Sequence, residues 1–261
     1  VLGLCVFNGT VLLHEVVHRA VFRTDRPLAH RLLALLYGLP SGISPTQFTR
    51  WHLDHHAELG SQDDDPKRAH LSPKRNARWL KLLYATPALF PLYFRAARKE
   101  TATYPAPVRR AIALERLAAT GLHLGAAAAI GLLGGWERLL WLWAIPVFLV
   151  FPPGFTLNRL GQHYDVVPGE PAKWGTRMAP SRFWEAVYLW STYHLEHHYF
   201  PKVPFYRLRE LNAALKPFFE REGVRERRNC EILLDRFVWN RAPHTDWGAA
   251  DRPAPPAATR A

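Results

Sequence analysis

Eight of the thirteen histidines fall into three clusters: His14 and His18 in His-Glu-Val-Val-His, His52, His55 and His56 in His-Leu-Asp-His-His, and His194, His197 and His198 in His-Leu-Glu-His-His. On a helix, residues three or four apart share a face, so each cluster can aim two or three imidazoles at one point. Neutral imidazole suits Zn, Cu, Fe and Ni. Eight convergent donors are too many for one ion. His163, in Gly-Gln-His-Tyr, is a ninth candidate, whereas His30, His70, His123 and His244 stand alone and read as solvated or satisfied side chains. A structural zinc site closes with four ligands, often including Cys, and only Cys5 and Cys230 are present, far apart in unlike surroundings. Two ions with four or five imidazoles each, and a position left open, describe a pair of redox-active irons that bind O2 more naturally than two zincs.

The elements that must position these side chains are apolar helices. Residues 117–136 and 139–158 carry no charge, and Glu137-Arg138 alone separates them. Each run matches the roughly 20 residues that cross about 30 Å of hydrocarbon, and the break is a turn, so a transmembrane hairpin is expected. Arg109, Arg110 and Arg116 precede it and Arg159 follows it, which puts both open ends in the cytoplasm by the positive-inside rule. Residues 1–13 are also apolar but reach only about 20 Å, a partial span, and are read as a helix whose beginning is missing. Residues 28–39 read as an interfacial amphipathic helix with His30 and Arg31 on its polar side, and 79–94 as a second interfacial segment. Leu208, Leu211 and Leu215 mark a helix outside the membrane, and 246–261 a disordered Pro- and Ala-rich tail. Both ends of the hairpin lie on one side, so all nine imidazoles meet at the cytosolic membrane surface. The composition agrees: hydrophobic residues make up 48% of the chain, yet 34 Lys and Arg against 22 Asp and Glu give a net charge of +12. These cations flank apolar runs, which favours an anionic leaflet and acidic protein partners over nucleic acid.

With these residues in view, the chain resembles the integral-membrane fatty acid desaturase and hydroxylase family, whose signature is HxxxH, HxxHH and HxxHH around a membrane hairpin. The stretch Leu39-Pro-Ser-Gly-Ile-Ser and the second box look most like sphingolipid (dihydroceramide) desaturases; the third box, running into Tyr-Phe-Pro-Lys-Val-Pro204, looks more like bacterial acyl desaturases. The resemblance implies an all-α fold, with membrane helices, a transmembrane hairpin and a cytosolic helical cap, in one domain over 1–245. It implies a di-iron centre held by His14, His18, His52, His55, His56, His163, His194, His197 and His198. In some relatives an Asn shortly before the intervening His contacts iron through water; here Asn158 lies five residues before His163, not four. The implied reaction uses O2 and external electrons to desaturate or hydroxylate a lipid acyl chain, with Glu15, Asp54 and Glu196 as candidates for orienting the ligands. No iron–sulfur, nucleotide or haem motif is present, so a ferredoxin or cytochrome b5-like donor is implied. The expected location is a bacterial inner membrane or the endoplasmic reticulum, with the site facing the cytoplasm. A carotenoid ketolase or hydroxylase uses similar boxes, and His14-Glu15-Val-Val-His18 is also the zinc metalloprotease pattern, with Glu15 as general base. A non-catalytic membrane metal-binding protein is the third alternative.

Overall fold

A computed structural model describes residues 1–241 apart from Gly60, Gln62, Lys74, Asp165 and Pro168. The expected tail, and His244, lie outside the described residues. The chain is mostly helical, and the strands among the described residues are a two-residue parallel pair, β1 (Arg177–Met178) with β2 (Glu226–Arg227).

Helix α1 (Leu2–Val17) is the central post, packed by α2 (Pro27–Gly38) on one side and by the stretch Leu140–Val150 with α7 (Phe151–Gln162) on another. Close approach comes from small residues. A Cβ at Gly3 would strike Pro146 and Val150, and one at Gly9 would strike Ser41 and Tyr37. In α2 the buried residues are His30, Ala34 and Gly38, whereas Leu28, Leu32 and Leu36 are 72%, 58% and 61% exposed. The expected polarity is therefore reversed for His30, which turns inward. Its Nδ1 donates to the Arg26 carbonyl at 3.0 Å and its ring meets Phe22 edge-on. The leucine face is left pointing out.

Helix α3 (Pro45–Ala57) starts sharply, because Pro45 sits in its first turn and the Ser44 hydroxyl accepts from the Gln47 amide. The expected interfacial segment is two helices, α4 (Arg78–Leu83) and α5 (Leu89–Ala102). Pro87 lacks the amide that a continuous helix would need there. Lys81 is fully buried, its Nζ donating to the Asn240 side chain at 2.8 Å and the Arg236 carbonyl at 3.3 Å.

The segment Ala106–Arg159 is one helical run of 54 residues, long and apolar enough to cross a membrane. Its first part, α6 (Ala106–Leu139), contains a non-helical residue, Gly135 (φ 78°, ψ 174°), so the break falls two residues before the expected Glu137-Arg138. Only glycine takes that conformation without strain, and the charged pair that follows resumes the helix. Past the break, Leu140–Val150 packs against α6, bringing Trp143 to 6.4 Å from His123 between ring centroids. That stretch winds more widely than an α-helix: Pro146, Pro152 and Pro153 remove three amide donors, and the Phe151 amide donates five residues back, to Pro146. Outward-facing Leu132, Leu133 and Trp136 are 87%, 85% and 77% exposed, unlike a soluble core helix.

After α7 come α8 (Arg182–Tyr188), α9 (His194–Tyr199), α10 (Leu208–Ala214), α11 (Lys216–Arg221) and α12 (Asn229–Leu233). The turn from α8 to α9 passes through two left-handed residues, Leu189 (φ 48°) and Trp190 (φ 60°). Such conformations cost on the order of 1–3 kcal/mol each and persist only where surroundings enforce them. Here the Tyr193 hydroxyl donates to Glu185 at 2.5 Å and Ser191 donates to the Tyr188 carbonyl at 2.7 Å, fastening α9 under α8.

Candidate metal centre

Nine imidazoles meet where the end of α1, the second half of α3, the residue after α7, and α9 converge. They form two groups. His14, His18, His52, His56 and His197 are one, and His55, His163, His194 and His198 the other; within each group one nitrogen from each ring lies within 4.8 Å of those of the others. Helix geometry explains the division. Relative to the first histidine of an HxxHH box, the residue four on is rotated by about 40° one way and the residue three on by about 60° the other. Each box therefore sends its first and last histidines to one group and its middle one to the other. His52 and His56 join the first group and His55 the second; His194 and His198 join the second and His197 the first. The i, i+4 pair of α1 makes the first group five, and His163 makes the second four.

The ring edges point at common centres. His18 and His52 approach to 2.7 Å between Nε2 atoms, and His197 Nε2 lies 3.2 Å from His18 Nε2. In the second group His163 Nε2 is 3.2 Å from His55 Nε2 and 3.1 Å from His194 Nε2, with His198 Nε2 3.0 Å from His194 Nε2. Two imidazoles can share one proton, but a third nitrogen at the same point is left without one. Both nitrogens of His14 and Nε2 of His56 are buried with no hydrogen-bond partner. Burial, reinforced by neighbouring imidazoles and Lys67, lowers His14, His52, His55, His194, His197 and His198 well below the ordinary histidine range. Burial likewise brings His18 to about 4 and His56 to about 3. These eight rings are therefore neutral at physiological pH, with lone pairs converging on two points. Buried neutral imidazoles with unsatisfied nitrogens fit a transition-metal donor set.

Two neighbours escaped the sequence reading. Asp65 is fully buried, and its Oδ1 accepts from His55 Nδ1 at 2.8 Å, which fixes the tautomer that leaves the His55 Nε2 lone pair facing His163. The same oxygen accepts from the Lys67 amide at 2.9 Å, so Asp65 also holds the turn into residues 67–71. Lys67 Nζ lies 3.3 Å from His52 Nδ1, and burial, with repulsion from Arg159, holds its ammonium well below the usual range. The expected orienting carboxylates are bonded elsewhere. Glu15 accepts from the Phe205 amide at 3.1 Å, Asp54 from the Tyr104 hydroxyl at 3.1 Å, and Glu196 from the Asn212 side chain. Their i+1 and i+2 positions beside the ligating face turn them away from the rings. Burial raises Glu15 and Glu196 to about 7. Asn158 donates to Ser191 Oγ at 2.8 Å and accepts from Gln162 at 2.6 Å.

One cavity borders this centre and a second lies behind it. A small one, about 80 Å³, is bordered by His14, His52, His194 and Asn158. A larger one, about 740 Å³, lies between α5, α6 and the Leu140–Val150 stretch, with walls that include Phe90, Phe148 and Phe151. Ile43, Tyr93 and Phe155 border both, so these three side chains are the partition between an apolar chamber and the histidines.

The profile of the fatty acid desaturase family matches residues 1–229. Among individual proteins, the human sphingolipid delta(4)-desaturase/C4-monooxygenase DES2 is 28% identical over 222 residues, 79% of this chain and 61% of the relative. The Bos taurus protein of the same name is 26% identical over 218 residues, 77% of this chain and 60% of the relative. The Drosophila melanogaster sphingolipid delta(4)-desaturase DES1 is 26% identical over 227 residues, 82% of this chain and 64% of the relative. The chain thus spans 60–64% of the length of these curated relatives.

Proposed function

The chain belongs to the fatty acid desaturase family, and from that premise we propose that this oxidoreductase is a membrane-bound di-iron enzyme that uses O2 and external electrons to introduce a double bond or a hydroxyl into a lipid acyl chain. The observation that carries the reading is the pair of buried imidazole groups, with an apolar chamber on the far side of Ile43, Tyr93 and Phe155. His14, His18, His52, His56 and His197 would hold one iron, and His55, His163, His194 and His198 the other. Bound there, the irons would supply activation of O2 and the oxidising power to remove hydrogen from an unactivated methylene. The relatives' names cover both outcomes, desaturation and C4 mono-oxygenation, and make a sphingoid lipid the first substrate class to test.

The chain's own residues bind, orient and exclude water. The aromatic walls of the large chamber accept hydrocarbon, and Ile43, Tyr93 and Phe155 set how far it advances toward His14, His52 and His194. Position at the partition decides between two adjacent hydrogens and one, hence between alkene and alcohol. Asp65 holds His55 in one tautomer, and Lys67 backs His52. Within the run Ala106–Arg159, residues 117–136 and 139–158 form a transmembrane hairpin turning at Gly135, with residues 1–13 a partial span beside it and the other helices of a domain spanning 1–245 forming the interfacial and cytosolic cap. Arg109, Arg110, Arg116 and Arg159 at its two open ends support a cytoplasmic site, and the excess of cations supports an acidic electron donor.

The test is lipid mass spectrometry of cells carrying the wild-type chain or His197→Ala. The wild type alone is expected to produce a species lighter by two hydrogens or heavier by one oxygen. Identical lipid profiles would sink the proposal.

A further inference from the structure

We propose that the large chamber binds an acyl lipid whose head carries a phosphate group, with Arg95, Arg98 and Arg116 holding the phosphate and the apolar walls holding the chain. The inference deepens the proposed function by naming a head-group class, and it rests on that reading only in taking the chain toward the histidines.

Three arginines border the chamber, Arg95 and Arg98 on α5, both exposed, and the half-buried Arg116 on α6, and among the described residues no carboxylate does. None of the three has an ion-pair partner among the described residues. Nearby carboxylates are committed elsewhere: Glu100 faces His70 at 3.6 Å, and Glu115 is taken by Arg31, Ser44 and Thr46. Arg116 is held in place by one donation, from Nη2 to Gln47 Oε1 at 2.7 Å, and Gln47 Nε2 is itself anchored to the Ala97 carbonyl at 2.8 Å. The rest of the guanidinium is available, and its Nε is buried without a partner. Clustered guanidinium groups lacking a counter-ion repel one another, and a phosphate meets their planar donors with paired charge-assisted bonds.

The chamber behind them has the dimensions of a small-molecule site, whose volumes run from about 300 to 1,000 Å³. Three further polar atoms among its lining residues are buried with no partner: the Tyr93 hydroxyl, His123 Nε2 and Trp143 Nε1. Buried polar groups are seldom left unbonded, so a ligand carrying a few polar atoms along an otherwise hydrocarbon body fits better than hydrocarbon alone. A neutral ceramide-type lipid would satisfy these three atoms and leave the arginines unpaired. A phosphate-headed lipid satisfies both.

The experiment compares a palmitoyl lysophosphatidic acid with monopalmitoylglycerol, which differ by the phosphate, binding to the full chain in neutral detergent by native mass spectrometry. The phosphate lipid is expected to bind about ten-fold tighter, the scale of one charge-assisted hydrogen bond, and Arg95→Gln/Arg98→Gln/Arg116→Gln to abolish the preference. The double variant Arg95→Gln/Arg98→Gln spares the Gln47 contact and is expected to shrink the preference without lowering the melting temperature. Thr120→Trp, filling the chamber, is expected to remove binding of both lipids; Leu124→Trp serves the same end from a neighbouring position. Equal affinity of the two lipids overturns the proposal. So does a preference that survives in the triple variant, or one that survives a filled chamber, since then the arginines bind a leaflet surface only. The readout is binding rather than turnover. His197→Ala protein is expected to keep the preference, so failure of the oxidase reading and failure of this one are distinguishable.

Discussion

A box of three histidines spaced HxxHH cannot serve one centre from one helix face, because its middle residue is rotated away from the other two. Two such boxes on opposed helices, each giving a pair to one group and a single ring to the other, make two centres out of one repeated pattern. The third-box helix α9 is the mirror of the second in this sense, and the extra i, i+4 pair of α1 is why one group has five rings and the other four. Asp65 shows what holds such a ring. Replacing it with Asn keeps the shape but removes the charge that favours His55 in its ligating tautomer, so affinity at the four-histidine group is expected to fall about 10–100-fold. After mild chelation, metal analysis should find Asp65→Asn retaining half the iron of the wild type. Equal retention would mean that Asp65 is only a cap. The eight box histidines were legible in the sequence because their spacing is local, whereas His163, alone in its segment, was picked out only by its place just past the apolar hairpin. Asp65 was not legible as a partner of His55, because their contact joins residues ten apart that lie on different elements, and no short-range pattern encodes that.

At the scale of elements, the long helices were legible and their orientations less so. Leucines at helical spacing located α2, but period alone does not say which face meets protein when lipid is an equally good surroundings for leucine. Ala34 and Gly38 were the usable signal: Ala34 packs against Leu13 and Val16 of α1, and a Cβ at Gly38 would strike Pro45 at the start of α3. A different device joins the N-terminal helices to α6. Glu115, buried on α6, accepts from Ser44 Oγ at 2.6 Å, the Thr46 amide at 2.9 Å, Thr46 Oγ1 at 2.7 Å and Arg31 at 2.5 Å. Burial pushes its carboxyl upward, and these four donors more than offset that, leaving it below the ordinary value of 4.5. The tie fixes the start of α3 and hence the distance from Ser44 to His52. Glu115→Gln is expected to cost roughly 1–3 kcal/mol at neutral pH, the worth of hydrogen bonds to a charged group. Because the folded-state carboxyl titrates below the unfolded one, its stabilisation is complete above pH 4.5 and is lost as pH falls through the folded value. Thermal unfolding in detergent should therefore separate wild type from Glu115→Gln at pH 7 and bring them together in acid. A variant that melts with the wild type at pH 7 would remove Glu115 from this role.

For the molecule as a whole, the decisive question is how its surfaces are divided between lipid and water. The exposed large apolar side chains concentrate on one body, with Leu117, Leu124, Leu132, Leu133, Trp136, Trp141 and Leu149 all on Ala106–Arg159, while the histidine centre lies where the ends of that run meet α1, α3 and α9. If hydrocarbon surrounds the run, Gly135 lies across the bilayer from the histidines, and Glu137 and Arg138 reach the opposite aqueous face. That turn position follows from backbone freedom, not from charge: the sequence pointed to Glu137-Arg138, the most polar spot, whereas the chain bends at the nearest glycine able to hold a positive φ. The two native cysteines, Cys5 and Cys230, are both exposed, which makes a labelling experiment direct. In a Cys5→Ser background Cys230 reports the side of the cap; Arg138→Cys, with both native cysteines replaced by Ser, reports the turn. A membrane-impermeant maleimide added to intact cells should label position 138 and reach Cys230 only after permeabilisation. Labelling of both from the same side would mean that the run does not cross as a hairpin, and the histidines, the arginine-rimmed chamber and the electron donor would then have to be placed without a bilayer between the turn and the site.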